Sequence, residues 1–120
     1  MARIMVLDDL EDVTVLLRRI LADRGDEIFC FTEEEEAIAF VASTAVDLAI
    51  VDIKLKKMSG IEVLKELKAI RPQIRVMLLT GYPTLGTARE AVRLGADEYC
   101  VKPFGRDELE QKVATILDSA

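Results

Sequence analysis

Five short apolar runs, at residues 4–7, 28–31, 48–51, 76–79 and 99–101, recur along the chain, and each is followed by a longer stretch with a helical pattern. The first such stretch carries Val13, Leu16, Leu17, Ile20 and Leu21, a three-to-four spacing that lines one face of a helix. Punctuation between the runs supports the division. Gly25 stands where a helix C-terminal glycine belongs, Thr32 with Glu35 and Ser59 with Glu62 read as capping boxes, and Pro72 stops the third helix. A less apolar helix is predicted from about residue 84 to 94, closed by Gly95, and Leu109, Val113, Ile116 and Leu117 mark a final helix. Strand–helix alternation of this length demands parallel strands, with right-handed crossovers and helices on both faces of the sheet. Runs 48–51 and 76–79 are almost continuously apolar, as buried central strands are.

At 120 residues the chain fits one domain, 1–120, and 51% apolar residues suffice for one core. The net charge is −6, which argues against direct nucleic-acid binding but not against a cation. No stretch approaches the ~20 apolar residues of a membrane helix, and the run after Met1-Ala2-Arg3 is too short for a signal peptide. Histidine is absent, which removes His-type zinc sites and Ser-His triads. Cys30 and Cys100 form no C-x-x-C pair, so reduced thiols and a cytoplasmic location are the expectation. The run Glu33-Glu34-Glu35-Glu36 reads as first-turn carboxylates that complement a helix dipole rather than as a metal site.

In open parallel sheets, ligands bind beyond the carboxyl ends of the strands. Asp8 and Asp9 follow the first strand, Asp52 the third, Thr80 and Gly81 the fourth, Lys102 and Pro103 the fifth. Each alone has an ordinary reading: Asp8 and Asp9 as helix caps, Asp52 and Thr80-Gly81 as turns, Lys102 as a salt-bridge partner. Together they place three carboxylates, a hydroxyl and an ammonium on one rim. Three carboxylates this close repel unless a cation joins them, and a few oxygens plus waters suit Mg²⁺. A lysine opposite, with the Thr80 hydroxyl and the Gly81 N–H, suits a phosphoryl group beside that metal. One carboxylate is then placed to accept it.

With Asp8-Asp9, Asp52, Thr80-Gly81 and Lys102-Pro103-Phe104 in this order, and Met58-Ser59-Gly60 shortly after Asp52, the whole chain resembles the receiver domain of two-component response regulators. The resemblance implies a flavodoxin-like, doubly wound (βα)5 α/β fold with five parallel strands in the order 2-1-3-4-5. That order sets Cys30 and Cys100 on opposite edge strands, too far apart for a disulfide. Further implications concern the site. Asp52 accepts a phosphoryl group from a sensor histidine kinase or phosphotransfer protein. Asp9 binds Mg²⁺ directly, Asp8 assists, and the Lys54 carbonyl completes the metal site. Lys102 pairs with the phosphoryl oxygens, with Gly81 and Lys54 also beside them. Thr80 and Tyr99 act as the switch, and the Lys102-Pro103 bond is cis. The implied output is a changed surface of helix four, strand five and helix five, read by an output domain or a downstream effector.

The chain departs from the family pattern in the loop after Asp52, which reads Leu55-Lys56-Lys57-Met58 where a proline is common, so a more mobile loop is expected. Lys54 and Tyr82 occupy the positions two beyond Asp52 and Thr80 that influence water access to the acyl phosphate. A long cation and a bulky ring predict slow self-dephosphorylation. The fourth helix carries Arg89 and Arg93 and the fifth carries Asp107 and Glu110, opposite charges that permit cross-subunit pairs in a phosphorylation-induced homodimer. The resemblance implies no enzyme beyond catalysis of its own phosphorylation and dephosphorylation. Three other classes compete. A phosphorylation-inert, receiver-like interaction scaffold would keep the same framework. A Mg-dependent aspartyl phosphatase needs a second acid two residues past its nucleophile, and here that residue is Lys54. A flavin module wants hydroxyls and N–H groups where Asp8 and Asp9 stand.

Overall fold

Residue alternation within each strand decides which helices cover which side of the sheet. The computed structural model describes residues 1–118. Its elements run β1 (Arg3–Leu7), α1 (Glu11–Leu21), β2 (Glu27–Phe31), α2 (Glu34–Ser43), β3 (Leu48–Asp52), α3 (Gly60–Ile70), β4 (Arg75–Thr80), α4 (Leu85–Arg93), β5 (Glu98–Val101) and α5 (Arg106–Asp118). All strand pairings are parallel and the sheet order is β2-β1-β3-β4-β5, as expected. Ile4, Val6, Leu48, Ile50, Met77 and Leu79 face one way, packing on Leu17, Ile20 and Leu21 of α1 and Leu109, Val113 and Ile116 of α5. Met5, Leu7, Ala49, Val51, Val76 and Leu78 face the other, against α2, α3 and Ala91 of α4. All five residues of β3 are buried, which explains its unbroken apolar run. Among the described residues no helix is long and apolar enough to cross a membrane.

Most expected boundaries hold within a residue or two, and the caps show where local signals gave way. Gly25 takes a left-handed φ of 80° and closes a short 3-10 turn, Ala22–Arg24, that extends α1. Ser59 caps α3, but its hydroxyl accepts the Ile61 N–H at 3.0 Å rather than that of Glu62. Thr32 does not cap α2. Glu33 occupies the N-cap without a side-chain bond, and the helix begins at Glu34. Glu34, at that boundary, is buried and bonds the backbone of Lys57 and Met58. Cys30 in β2 and Cys100 in β5 are free and lie on opposite edge strands.

Candidate functional site

Parallel strands release the chain at a common rim, so the residues at their carboxyl ends become neighbours. Oxygens of Asp8, Asp9 and Asp52 all lie within 4.8 Å of one another. Asp8 and Asp52 are buried and Asp9 is half-buried. The Lys102 ammonium stands 3.2 Å from Asp8 Oδ2 and 3.4 Å from Asp52 Oδ2, joining residues from three strand ends. The Lys102 N–H donates to the Thr80 carbonyl at 2.8 Å, and the Lys102-Pro103 peptide is cis. Asp8 and Asp9 are not helix caps: Leu10 is the N-cap of α1 and makes no side-chain bond. Asp8 Oδ1 instead accepts the Leu10 N–H at 2.9 Å, which shapes the turn and leaves Oδ2 for Lys102.

Charge explains the protonation behaviour of this cluster. Burial, and then the neighbouring Asp8 charge, push the Asp52 carboxyl above its ordinary value, with Lys102 opposing them. Burial lowers Lys102, but the charges of Asp8 and Asp52 outweigh it, so the ammonium is held more firmly than usual. Asp52 shifts upward chiefly through burial, and Lys102 through the two carboxylates, Asp8 and Asp52, that share its ammonium. An all-oxygen, acidic, mostly buried donor set with surplus negative charge is what a hard divalent cation such as Mg²⁺ requires. Asp8, Asp9 and Asp52 could hold it. The Lys54 backbone lies close by, since its N–H donates to Asp52 Oδ1 at 3.4 Å.

The hydroxyls expected to switch are engaged elsewhere in this arrangement. Thr80 is buried, and its Oγ1 accepts the Tyr82 N–H at 3.0 Å. Gly81 is exposed, with open space around its Cα. Tyr99 is half-buried, and its hydroxyl lies 2.7 Å from Thr87 Oγ1 in the first turn of α4. Thr87 also belongs to the N-terminal cap of α4, a reciprocal Thr84–Thr87 capping box. Neither this cap nor its link to Tyr99 was read from the sequence, although Thr84-x-x-Thr87 ahead of a helix carries the pattern. Of the charges considered for a dimer, Arg93 pairs with Glu90 at 2.7 Å and Glu110 with Arg106 at 2.7 Å, each within its own helix. Those two therefore give no argument for a homodimer.

The acidic run at the start of α2 is more than a dipole complement. Lys57 pairs with Glu33 at 3.6 Å and Glu35 at 3.2 Å, and Glu34 is buried with its carboxylate on the backbone of the loop after Asp52. That loop is tethered, where the missing proline suggested a loose one. The clue in the sequence was position: Glu34 falls on the same helix face as Ala37 and Val41, which are both buried.

Comparison with known proteins fits this geometry. The family model for the response regulator receiver domain matches residues 4–114. Over 115 residues the chain is 36% identical to Regulatory protein AtoC of Escherichia coli (strain K12), covering 96% of this chain and 25% of that protein. The chain thus spans about a quarter of that relative's length. It is 33% identical over 115 residues to Sporulation initiation phosphotransferase F of Bacillus subtilis (strain 168), covering 96% of this chain and 93% of that protein. Among solved structures, response regulator protein TrrA from Thermotoga maritima, in complex with Mg²⁺-BeF, superposes with a TM-score of 0.87 at 36% identity. That match covers 97% of this chain and 99% of the other.

Proposed function

The chain belongs to the family of response regulator receiver domains, and from that premise we propose that it is a phosphorylation-dependent switch of a two-component system, with Asp52 as the phosphoryl acceptor. The observation that carries the reading is the convergence of Asp8, Asp9, Asp52 and Lys102 at one rim from three strand ends. An Asp52 oxygen attacks the phosphorus of a phosphohistidine on a sensor kinase or phosphotransfer protein. The new P–O bond forms as the P–N bond breaks, and the departing imidazole keeps the electron pair. Asp8, Asp9, Asp52 and the Lys54 carbonyl would hold Mg²⁺, which when bound offsets charge on the phosphoryl oxygens. The Lys102 ammonium, which already faces Asp52, then pairs with those oxygens. Thr80 gives up the Tyr82 N–H to donate to the phosphoryl group, and Tyr99 turns inward from Thr87. The changed surface of α4, β5 and α5 is what an output domain or downstream effector reads.

We assign the protein to the cytoplasm and expect its own phosphorylation and dephosphorylation to be the only chemistry it catalyses. The complex of TrrA with Mg²⁺-BeF, on a chain 36% identical, supports the choice of metal and of probe. The test is beryllofluoride binding with Mg²⁺ present, followed by amide NMR, on the wild type and on Asp52→Asn. Saturable shifts at Asp52, Thr80 and Lys102 that extend to Tyr99, and that vanish in the variant, are expected. A wild type that takes up neither Mg²⁺ nor beryllofluoride would leave an inert interaction scaffold as the function.

A further inference from the structure

Glu34 is the first residue of α2, yet its side chain is only 1% exposed. The side chain leaves its own helix and reaches the loop between β3 and α3. Oε2 accepts the Lys57 N–H at 2.6 Å and the Met58 N–H at 3.0 Å. Residues 53–59 form neither helix nor strand, so the backbone there depends on such contacts for its shape. At the far end of the loop the Gly60 N–H donates to the Ile53 carbonyl at 2.7 Å. The loop is therefore closed at its ends by Gly60 and held in its middle by Glu34.

The flanking ion pairs of Lys57 with Glu33 and Glu35 lie on exposed side chains, where such pairs contribute little. The buried carboxylate differs in kind. Burial opposes its ionisation, but N–H groups of its own backbone, Lys57 and Met58, and then the Lys57 charge, outweigh burial and hold the carboxyl below its ordinary value. A charged acceptor thus meets two backbone donors in a dry place, which makes for short, stiff bonds. Removing it would leave those donors without their partner.

We propose that Glu34 is a positioning residue for the phosphoryl site. It fixes the loop that carries Lys54, and with it the Lys54 backbone, whose N–H donates to Asp52 Oδ1, and the Lys54 ammonium over Tyr82. The inference rests on the functional reading above. It assigns to α2 a part in the site that none of the rim residues supplies.

The test measures Mg²⁺ affinity and beryllofluoride affinity by calorimetry, the Lys54 amide shift by NMR, and the urea midpoint. The variants are Glu34→Ala, Glu34→Gln, Glu34→Asp and, as a control, Val113→Ala, a core truncation in α5. Glu34→Ala is expected to weaken Mg²⁺ binding by about tenfold or more, the usual scale for losing a group that supports metal ligands. Glu34→Gln keeps an acceptor oxygen and should recover most of that loss. Glu34→Asp keeps the charge but shortens the reach, so it should weaken Mg²⁺ binding to a smaller extent even where Glu34→Ala fails to fold. Val113→Ala should lower the urea midpoint and leave Mg²⁺ affinity alone. If the folded Glu34 variants bind Mg²⁺ as the wild type does, whatever they lose in stability, Glu34 is structural only and the proposal is overturned. A wild type that binds neither Mg²⁺ nor beryllofluoride would overturn the functional reading itself, and this inference with it.

Discussion

The ammonium of Lys54 stands 4.5 Å above the centre of the Tyr82 ring. The two residues belong to different loops, Lys54 to the one after β3 and Tyr82 to the one after β4, and their backbones bond to Asp52 and Thr80 respectively. Tyr82 is 71% exposed, so the pair lies on the outside of the site rather than in the core. A cation on an aromatic face at an exposed position is worth about 0.5–1 kcal/mol. That is enough to favour a closed cover over an open one. On the function proposed above, this cover screens an acyl phosphate on Asp52 from water. We therefore expect the double variant Lys54→Asn with Tyr82→Glu to lose its phosphoryl group about two- to fivefold faster, a barrier change of about 0.5–1 kcal/mol. Phosphate release after loading with acetyl phosphate measures it, and a wild type that hydrolyses faster than the variant would refute the role of the pair.

The Tyr99 hydroxyl on Thr87 is a second device outside the acidic cluster. It ties strand β5 to the cap of α4, and an inward-turned Tyr99 cannot keep it. A neutral hydrogen bond of this kind is worth about 1 kcal/mol net, so its loss should shift the balance toward the activated arrangement by about fivefold. Thr87→Val, which keeps the shape and removes the hydroxyl, should lower the beryllofluoride concentration at half-saturation by that factor. Tyr99→Phe should act in the same direction. The double variant should add little to Thr87→Val, because Tyr99 then has no Thr87 hydroxyl left to lose, and the Thr84 contacts that Thr87→Val also removes belong to the α4 cap. Unchanged titrations, or full additivity, would show that the contact does not restrain the switch.

The division between what was legible in the sequence and what was not follows the range of the interactions. The runs at 48–51 and 76–79 gave the central strands because burial on both faces leaves an unbroken apolar record. Asp8, Asp9, Asp52 and Lys102 were legible because the parallel topology brings together whatever follows each strand. Thr32 misled, since its capping signal is local and worth about 1 kcal/mol, while the first residue of α2 is a buried carboxylate bonded 23 residues away. Glu34 itself was hidden in a run of four glutamates, of which it alone is buried. The Thr87–Tyr99 and Lys54–Tyr82 contacts join different elements through side-chain direction, which residue spacing does not record.

Gly60 has a steric reason for its identity. A Cβ there would lie 2.2 Å from the Asp52 carbonyl oxygen and 2.7 Å from the Ile53 Cα, both backbone atoms that cannot swing aside. Alanine would favour the start of α3 by helix propensity, by up to about 1 kcal/mol. Overpacking against fixed backbone costs about 1–3 kcal/mol and should win. Gly60→Ala is therefore expected to lower the urea midpoint. Because the displaced atoms belong to Asp52, it should also weaken Mg²⁺ binding. A variant as stable as the wild type, with unchanged Mg²⁺ affinity, would mean that the β3–α3 junction relaxes without strain.

Asp26 sits at the opposite end of the sheet from the acidic cluster and gives the stability a defined pH dependence. Its Oδ1 accepts the Ala2 N–H at 2.9 Å and its Oδ2 the Arg24 Nε–H at 2.8 Å. Burial alone would raise its carboxyl, but the Ala2 N–H, then the bond and the charge from Arg24, outweigh burial and hold it below the ordinary value. A carboxyl that is more acidic in the folded state than in the unfolded one binds fewer protons when folded. Its contribution is complete above the unfolded value, near 3.9, and is lost as pH falls from there through the folded value. Asp26→Asn should accordingly cost about 1–2 kcal/mol at pH 7, the scale of charge-assisted hydrogen bonds. The gap between wild type and variant should narrow steadily below about pH 4, as protonation removes the same charge from the wild type. Urea unfolding at pH 7, 5, 4 and 3 measures the gap. A difference that stays constant, or that widens in acid, would show that the Asp26 charge is not what holds Ala2 and Arg24 to this end of the sheet.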